Sequence, residues 1–420
     1  MRSAGVVTWT RSTGRSLSQW GIARPLPNGP GTTNDVTRTF LAAGGRPGLI
    51  NMAGGLPEPS TYPVEQLAAI ARYVIQRYPS DVLGYGPGEG LPELRDAIAR
   101  RFSSPALRLA RANVLITSGG MQGLDLIGKV LLEDGDLVAG QFPTYLGAID
   151  AWRSRSPTFR NLEFDAPGFD AVAALEGAQF AYTVPNFSNP TGKLVDIRMR
   201  QGLVDAAHQT GTWLIEDDPY GTLHYDGEPV SRIIELSAQA RPGEGYTGPV
   251  VYMGTVSKEI APGLRIGWVI AAPEMIEALT MAKLGSDMCT SGVTQRIALK
   301  ALEDGLIEQI QPMVLNIYRR RRDALCAAMR EHLDEWLDWE VPVGGMFVWA
   351  VARDPRLDTD RVLDHAMAAG VCITPSSVFD ATGLYKRAIR INFTFNDEAR
   401  LAEGVKRLAL ALETMQAQRS

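Results

Sequence analysis

The sequence predicts an α/β fold, with a large domain built on a mostly parallel central sheet and a smaller α+β domain after it. Short continuous apolar runs alternate with helical segments, as is typical of a sheet sandwiched between helices. Longer helices follow residue 272, and the last strands alternate with a period of two residues, as in a sheet with one covered face. With 420 residues, 45% of them apolar, the chain is long enough for two domains.

The elements of the large domain are predicted in chain order. Helices over residues 63–78 and 91–102 carry proline in the first turn, where its missing N–H costs no helical hydrogen bond. Apolar strands follow over residues 114–116, 137–139, 180–184, 213–215 and 250–253, with helical segments such as 121–132 and 195–208 between them. These runs predict the buried sheet.

The second half predicts helices over residues 273–284, 293–303 and 306–334, strands near 346–351, 371–374 and 388–393, and a closing helix over 396–415. The basic run 319–322 is expected to form a solvated face of the long helix. We place a domain boundary near residue 310, so that the large domain covers residues 61–310 and the small domain 311–420. Residues 1–35, interrupted by prolines, are expected to form a flexible arm, and residues 36–60 a segment joining the small domain at the entrance of the active site.

Composition argues against several partners. A net charge of −5 with 42 basic residues gives no basic field for nucleic acid. No apolar run approaches the roughly 18 residues that span a bilayer, so we expect a soluble chain without a membrane partner. Three widely spaced cysteines indicate a reducing compartment, and the N-terminal stretch has no signal-type apolar region, so we expect a cytoplasmic protein. The four histidines have no shared spacing, and we expect no metal site.

Loops after the strands are the place to look for chemistry, because ligands bind at the carboxyl ends of the strands of open α/β sheets. The first loop, SGGMQG at 118–123, leads into a helix N-terminus and suits a phosphate, although glycine turns are also common there for steric reasons. The second, PNFSNPTG at 185–192, is explained by turn chemistry alone. The third, EDDPYG at 216–221, holds three consecutive acids, and we expect Glu216 and Asp218 to lie in a helix-capping, solvent-facing loop.

The fourth stretch is YMGTVSKEIAPGLRIGW at 252–268. An ammonium is costly to bury, yet Lys258 is flanked by Val256, Ile260, Ala261 and Leu264. We therefore expect this lysine to point inward for a chemical reason.

The four loops together carry a resemblance that none carries alone. With AGGLP at 53–57, YGP at 85–87, SK at 257–258 and APGLRIG at 261–267, the chain resembles the fold-type I pyridoxal-phosphate enzymes of the class I/II aminotransferase family, within them the 2-aminoadipate and kynurenine aminotransferase branch. The resemblance is ordered and covers about residues 50–415. It implies pyridoxal 5'-phosphate as cofactor and transfer of an α-amino group between an L-amino acid and a 2-oxo acid by ping-pong half-reactions.

The resemblance also implies catalytic roles. Lys258 matches the lysine that forms the Schiff base and then shuttles the proton between Cα and C4′ of the cofactor. Asp217 matches the acid that keeps the ring nitrogen protonated, with Asp218 as the rival, and Asn189 and Tyr220 match the partners of the phenolic oxygen. Tyr145 is expected to stack on the ring, the alternative being an ordinary core aromatic.

Further residues are implied for the phosphate and the substrate. Arg390 matches the arginine that grips the substrate α-carboxylate in a bidentate pair, with Asn189 and Gly55 beside it. Tyr85 resembles the tyrosine that reaches the phosphate from a neighbouring subunit, which implies a homodimer with shared active sites. The remaining phosphate-binding candidates are Gly119, Gly120, Met121, Thr255, Ser257 and Arg265.

Two alternatives remain open. Decarboxylases, lyases, racemases and oxidases use the same residues, since the outcome depends on which Cα bond lies perpendicular to the ring. An aminotransferase-like, non-catalytic effector-binding protein would carry a winged-helix reader. About fifty residues precede the match, without helix-turn-helix periodicity, which argues against that second alternative.

Overall fold

A computed structural model describes residues 46–418 of the protein. The predicted arm over residues 1–35, and the beginning of the predicted segment 36–60, lie outside the described residues. Within the described range, no helix combines the length and apolar character needed to cross a bilayer.

The central sheet has seven strands with four parallel and two antiparallel pairings. Its spatial order is β2-β8-β7-β6-β5-β3-β4. The strands are β2 (Val114–Thr117), β3 (Leu137–Gly140), β4 (Thr158–Asn161), β5 (Phe180–Thr183), β6 (Trp213–Asp217), β7 (Val250–Thr255) and β8 (Gly267–Ile270). Strand β8 is antiparallel to both neighbours, so the other strands of the sheet all end at the same edge.

Helices cover both faces of this sheet. They are α1 (Val64–Arg77), α2 (Pro79–Leu83), α3 (Pro92–Phe102), α4 (Gly120–Leu131), α5 (Leu146–Trp152), α6 (Ala171–Leu175), α7 (Ile197–Thr210), α8 (Ile233–Ala238), α9 (Pro273–Leu284) and α10 (Gly292–Glu303). Alternate strand residues enter two different cores: Leu214 packs into one and Ile215 into the other. Consecutive residues of β6 therefore face opposite sides of the sheet.

A second, smaller sheet follows in the chain. It runs β12-β13-β10-β9 with antiparallel pairings, and a separate two-stranded pair joins β1 to β11 in parallel. The strands are β1 (Ile50–Asn51), β9 (Leu337–Trp339), β10 (Phe347–Ala352), β11 (Val371–Cys372), β12 (Thr374–Pro375) and β13 (Ala388–Asn392), and the helices α11 (Leu306–His332), α12 (Thr359–Ala368) and α13 (Glu398–Ala417).

Two strands of the large sheet escaped prediction. Strand β4 is a half-exposed edge strand of sequence TFRN, so it lacks the continuous apolar run of a buried strand. Strand β8 has the sequence GWVI and is fully buried, but it directly follows the turn around Pro262 and Gly263. A strand that begins with glycine after a tight turn gives a weak propensity signal.

The prediction of a solvated face at residues 319–322 is wrong for half of the run. Arg321 and Arg322 are 8% and 6% exposed. Arg321 pairs with Glu58 at 2.5 Å, and Arg322 pairs with Asp226. A basic run on a long helix reaches both the solvent and neighbouring elements, so these two guanidinium groups tie α11 to the segment after β1 and to the loop after β6.

Candidate active site

The predicted site residues other than Gly119 and Tyr85 converge on one cavity of about 340 Å³ at the edge where β2, β5, β6 and β7 end. The predicted residues that line it are Gly55, Gly120, Met121, Tyr145, Asn189, Asp217, Tyr220, Thr255, Ser257, Lys258, Arg265 and Arg390. These residues are far apart in the sequence, and the fold brings them together in one cavity.

Lys258 lies three residues beyond the end of β7 and is partly buried. Its Nζ donates a hydrogen bond to the carbonyl oxygen of Gly55 at 2.8 Å. Burial, reinforced by the positive charges of Arg390 and Arg265, lowers the pKa of Lys258 to about 8. A substantial fraction of this amine is therefore neutral near physiological pH, as a nucleophile or general base requires.

Asp217 ends strand β6 and is 8% exposed. Burial raises the pKa of its carboxyl to about 6, although a hydrogen bond from Tyr182 opposes that rise. Tyr182 Oη donates to Asp217 Oδ2 at 2.7 Å. Among residues 46–418, no other donor contacts this carboxylate, so Oδ1 is available to a group in the cavity.

The two acids beside Asp217 are buried, which corrects the expectation of a solvent-facing loop. Glu216 is fully buried and accepts from the backbone N–H groups of Ile233 and Ile234, both at 2.9 Å. It does cap a helix, α8, as expected, and burial raises its pKa to about 7. The loop turns inward because these N–H groups replace the water that a carboxylate needs.

Asp218 occupies the same face as Glu216 and does not line the cavity. It accepts from Asn186 Nδ2 at 2.8 Å and from Tyr252 Oη at 3.1 Å, and Arg232 lies 3.9 Å away. The geometry therefore separates the two rival acids: Asp217 faces the cavity, whereas Asp218 belongs to a network behind the sheet.

Arg390 lies in the middle of β13 and is 4% exposed. Its Nη1 donates to Asn189 Oδ1 at 2.6 Å, and Nη2 contacts the carbonyl oxygen of Ala53. The guanidinium lies over the rings of Phe347 and Phe379, 4.2 and 4.7 Å from their centroids. Arg390 Nε is buried without a hydrogen-bond partner among the described residues, and the Arg390 side chain lines the cavity.

Two tyrosines line the same cavity as the amine and the Arg390 guanidinium. Tyr220 is buried against the edge of Phe347, and burial raises the pKa of its phenol. Tyr145 directly precedes α5, and burial near Asp217 raises its pKa to about 12. Both phenols therefore stay protonated at neutral pH and can donate hydrogen bonds.

One end of the cavity, lined by the start of α4 and by Arg265, is suited to bind an anion. Gly119, with φ of +92°, precedes α4, and a Cβ there would lie 2.3 Å from Arg265 Nη2. A side chain at 119 would clash with this guanidinium, so glycine allows Arg265 to pack against the start of the helix. The first N–H groups of α4 and the Arg265 fork converge on this end, where the helix dipole adds positive potential.

Two hydroxyls complete this end. Thr255 Oγ1 lies 2.9 Å from Ser257 Oγ, and both line the cavity. Tyr85, by contrast, does not line the cavity of this chain, because it is 88% exposed on the loop after α2. Its side chain is free to contact another molecule.

A larger cavity of about 710 Å³ opens elsewhere, between the ends of β3 to β5 and the smaller sheet. Acidic and aromatic side chains such as Glu163, Glu340 and Trp349 line it, and it contains none of the predicted site residues. Volume alone therefore does not locate the chemistry. The smaller cavity holds the perturbed amine and carboxylate.

The residues of the 340 Å³ cavity fit pyridoxal phosphate. An amine of lowered pKa can bond to an aldehyde, and Asp217 Oδ1 can accept from a protonated ring nitrogen. The open space at Gly120, where a Cβ would meet no atom within 4 Å, lies at the α4 N-terminus in the cavity that Arg265 also lines, and it can hold a phosphate. No group of three or more His, Cys, Asp or Glu in the described range is arranged to hold a metal ion.

Sequence reasoning missed several residues around the cavity. Tyr182 lies within the apolar run of β5, so its role was not predicted. The sequence feature that could have indicated it is its hydroxyl-bearing side chain near the end of β5, the strand next to β6. Leu56 of the apolar wall belongs to the AGGLP motif, whereas the other wall residues, Leu124, Leu146 and Val184, carry no chemical signature in the sequence.

Comparison with known proteins identifies the family. The model for aminotransferase classes I and II matches residues 57–408. The chain is 37% identical over 375 residues to aromatic-amino-acid aminotransferase 1 of Thermococcus litoralis, covering 86% of this chain and 87% of that relative.

Solved structures agree with this match. An α-aminoadipate aminotransferase of Thermus thermophilus, complexed with N-(5'-phosphopyridoxyl)-L-leucine, superimposes with a TM-score of 0.84 at 32% identity, over 95% of this chain and 99% of that one. A kynurenine aminotransferase of Pyrococcus horikoshii, in complex with PMP, gives 0.82 at 33% identity, over 91% and 94%. The fold is the fold-type I architecture, pyridoxal 5'-phosphate is the cofactor, and the chain belongs to the class I and II aminotransferase family.

Proposed function

We propose that this aminotransferase takes its amino group from L-amino acids with apolar or aromatic side chains, with Lys258 as the base, Asp217 as the ring-nitrogen partner and Arg390 as the carboxylate anchor. The observation that carries this assignment is the convergence of these three groups on one cavity. Each has either a shifted pKa or unused hydrogen-bonding capacity there.

Bound pyridoxal phosphate supplies an aldehyde and an electron-withdrawing ring that stabilises negative charge at the substrate Cα. The neutral Nζ of Lys258 removes the proton from that Cα, and its lowered pKa keeps enough free base near neutral pH. Asp217 would hold a proton on the ring nitrogen by accepting from it. Tyr220 and Asn189 would hold the phenolic oxygen, and Tyr145 would stack on the ring.

The phosphate end fixes the cofactor without taking part in proton transfer. Backbone N–H groups of Gly119, Gly120 and Met121, the hydroxyls of Thr255 and Ser257, and the fork of Arg265 supply the donors. A dianion at a helix N-terminus beside a guanidinium is held both by charge and by directed hydrogen bonds.

Arg390 and Asn189 position the substrate. A carboxylate entering the cavity can take a bidentate pair from Arg390, whose Nη1 already contacts Asn189. Gly55 borders this place, and its missing side chain matters because a Cβ there would lie 3.2 Å from Phe347 Cζ.

The substrate class follows from the remaining wall. In the described part of the chain, the charged residues lining the cavity are Asp217, Lys258, Arg265 and Arg390. All four already have proposed roles, so no cation of that wall is left for a second carboxylate. Leu56, Met121, Leu124, Leu146 and Val184 instead offer apolar surface.

A panel of amino donors tests this proposal. The loss of aldehyde absorbance on adding each donor reports the first half-reaction directly. We expect kcat/KM for leucine and phenylalanine to exceed that for aspartate by at least about ten-fold, since an unpaired carboxylate is costly to bury. A preference for dicarboxylic donors would contradict the substrate class, and peroxide or ammonia release without a 2-oxo acid would contradict transamination.

A homodimer with shared active sites is supported by an exposed apolar surface beside the cavity's phosphate end. Leu83, Tyr85, Met281, Leu284 and Met288 are between 44% and 88% exposed. They form one surface because Leu284 packs against Gly88, in the loop that carries Tyr85. Such a patch is typical of a protein interface.

The dimer is tested by light scattering. We expect twice the chain mass for the wild type, and a monomer with weakened cofactor binding for the double variant Met281→Glu/Leu284→Glu. The control Leu410→Glu, at an exposed apolar position of α13, should remain dimeric. A wild-type monomer with full activity would contradict the shared site.

The cellular location and the domain limits are proposed on separate observations. All three cysteines are free, and two are buried, which supports a reducing compartment such as the cytoplasm. We keep the domain limit near residue 310, at the start of α11. The pairing of β1 with β11 supports assigning the described part of segment 36–60 to the small domain.

A further inference from the structure

Tyr182 is a fully buried residue of β5 whose hydroxyl contacts the proposed ring-nitrogen partner, so any role for it rests on the proposed function of Asp217. Its Oη donates to Asp217 Oδ2 at 2.7 Å. The ring is packed edge-on against Trp152, with centroids 5.1 Å apart. A phenol held this firmly can fix the plane of the carboxylate that it contacts.

The hydrogen bond has an electrostatic consequence. Burial raises the pKa of Asp217, the Tyr182 hydrogen bond lowers it, and the neighbouring charge of Asp218 raises it. The phenols of Tyr145 and Tyr220 also face this carboxylate, and the cations Lys258, Arg265 and Arg390 line the same cavity. Of these groups, Tyr182 is the one that the structure places in direct hydrogen-bond contact with the carboxylate.

We propose that Tyr182 is a positioning residue that orients the Asp217 carboxylate and keeps it ionised toward the ring nitrogen of the cofactor. Oδ2 accepts from the phenol, which leaves Oδ1 of this cavity-lining residue for the ring nitrogen. An ionised, oriented acceptor is what a protonated pyridine nitrogen needs.

The test measures cofactor binding by the apoenzyme as a function of pH, by equilibrium dialysis. The bound state requires ionised Asp217, so the dissociation constant rises as pH falls through the pKa of that residue in the apoenzyme. In Tyr182→Phe the carboxyl loses a donor that favours its charged form, so the midpoint moves to higher pH. We expect a shift of about one pH unit, as for one hydrogen bond to a charged group, so that binding is about ten-fold weaker near pH 5 and about two-fold weaker at neutral pH.

A matched control lies two strands away, on the other side of β6. Tyr252 of β7 is also buried and donates from its Oη to the neighbouring acid, Asp218, at 3.1 Å. Tyr252→Phe removes the same kind of bond from an acid that does not face the cavity. We expect it to lower thermal stability as Tyr182→Phe does, but to leave the pH midpoint of cofactor binding at the wild-type value.

Two outcomes would overturn the proposal: a Tyr182→Phe profile superimposed on the wild type, or an equal shift in Tyr252→Phe. Asp217→Asn separates this failure from that of the proposed function. If Asp217→Asn weakens binding and Tyr182→Phe does not, the role of Tyr182 fails alone; if neither does, the role of Asp217 fails as well.

If Tyr182→Phe does not fold, a ring-fluorinated tyrosine at position 182 replaces it in the test. This residue has nearly the same shape and is a stronger hydrogen-bond donor, so the midpoint of cofactor binding should move to lower pH. An unmoved midpoint contradicts the proposal.

Discussion

The two faces of the central sheet bury charge in different ways. On one side, Lys258, Asp217 and Arg390 line the cavity to which we assign the cofactor, called the cofactor cavity below. On the other side lies a rear network, which we define as Arg200, Asn186, Glu216, Asp218, Arg232 and Tyr252. Asp217 and Asp218 are adjacent in sequence and almost equally buried, at 8% and 7% exposed, yet they belong to different regions.

The two arginines show the difference most clearly. Arg200 is fully buried and donates to the carbonyl oxygens of Val195, Ser231 and Pro185 and to Asn186 Oδ1, at 2.7 to 3.0 Å. Arg390 is nearly as buried but keeps Nε without a partner in the described part of the chain. Burial of charge therefore does not identify a catalytic group by itself. Arg390 differs from Arg200 because its side chain lines the cavity as well as having an unpaired Nε.

The largest expected effect comes from the amine of the cavity. Lys258→Ala removes the residue that we propose as both nucleophile and base, so we expect kcat to fall by at least about 1,000-fold. The control Lys193→Ala removes a lysine that pairs with the exposed Asp165 and should keep kcat within about two-fold, by the small value of surface ion pairs, roughly 0–1 kcal/mol. A Lys258→Ala enzyme with about a tenth of wild-type turnover would contradict the assignment.

The next effect compares the two arginines. Arg390→Lys loses the planar fork for the α-carboxylate, and we expect KM for amino donors to rise about 100-fold with little change in thermal stability. Arg200→Lys leaves several buried carbonyl acceptors unpaired, so the melting temperature should fall while KM stays near the wild-type value. Steady-state kinetics and thermal unfolding on both variants check this. A large rise of KM in Arg200→Lys would contradict the assignment of Arg200 to the rear network and of substrate binding to the cofactor cavity.

A smaller effect concerns pH. Since burial and two nearby arginines lower the pKa of Lys258 to about 8 from an ordinary value of 10.5, the fraction of neutral amine rises about ten-fold per pH unit below 8 and saturates above it. The rate of cofactor recombination with the apoenzyme should follow this curve. Arg390→Met removes one of the positive charges, so its curve should lie at higher pH. A rate still rising at about pH 10 in the wild type would show an unperturbed lysine.

Much of the fold was predictable because a sheet covered on both faces gives continuous apolar runs. The five runs that became β2, β3, β5, β6 and β7 are of this kind. Strand β4 was not predictable in this way, because one of its faces meets solvent and its residues are mixed. The inward turn of Arg321 and Arg322 also escaped, since a charge run carries no information about which partners the fold brings near it.

The site was predictable where chemistry demands particular residues in particular loops. Lys258, Asp217 and Arg390 are such residues, and the structure brings them to one cavity. The spacing of the family motif favoured Asp217 over Asp218. The structure explains this choice, because successive side chains along β6 point to opposite faces of the sheet and that of Asp217 points to the cavity. The burial of Glu216 was missed because its partners, the N–H groups of Ile233 and Ile234, come from a helix that begins 17 residues later.

The most direct measurement on the central claim compares Asp217→Asn with Asp218→Asn in the same assays. Both substitutions are isosteric and remove one buried negative charge. We expect Asp217→Asn to lower kcat by about ten- to hundred-fold, by loss of a hydrogen bond between charged groups, while keeping the wild-type melting temperature. Asp218→Asn should lower the melting temperature and leave kcat nearly unchanged. The reverse pattern, or equal kinetic losses in both variants, would contradict the division between cofactor cavity and rear network.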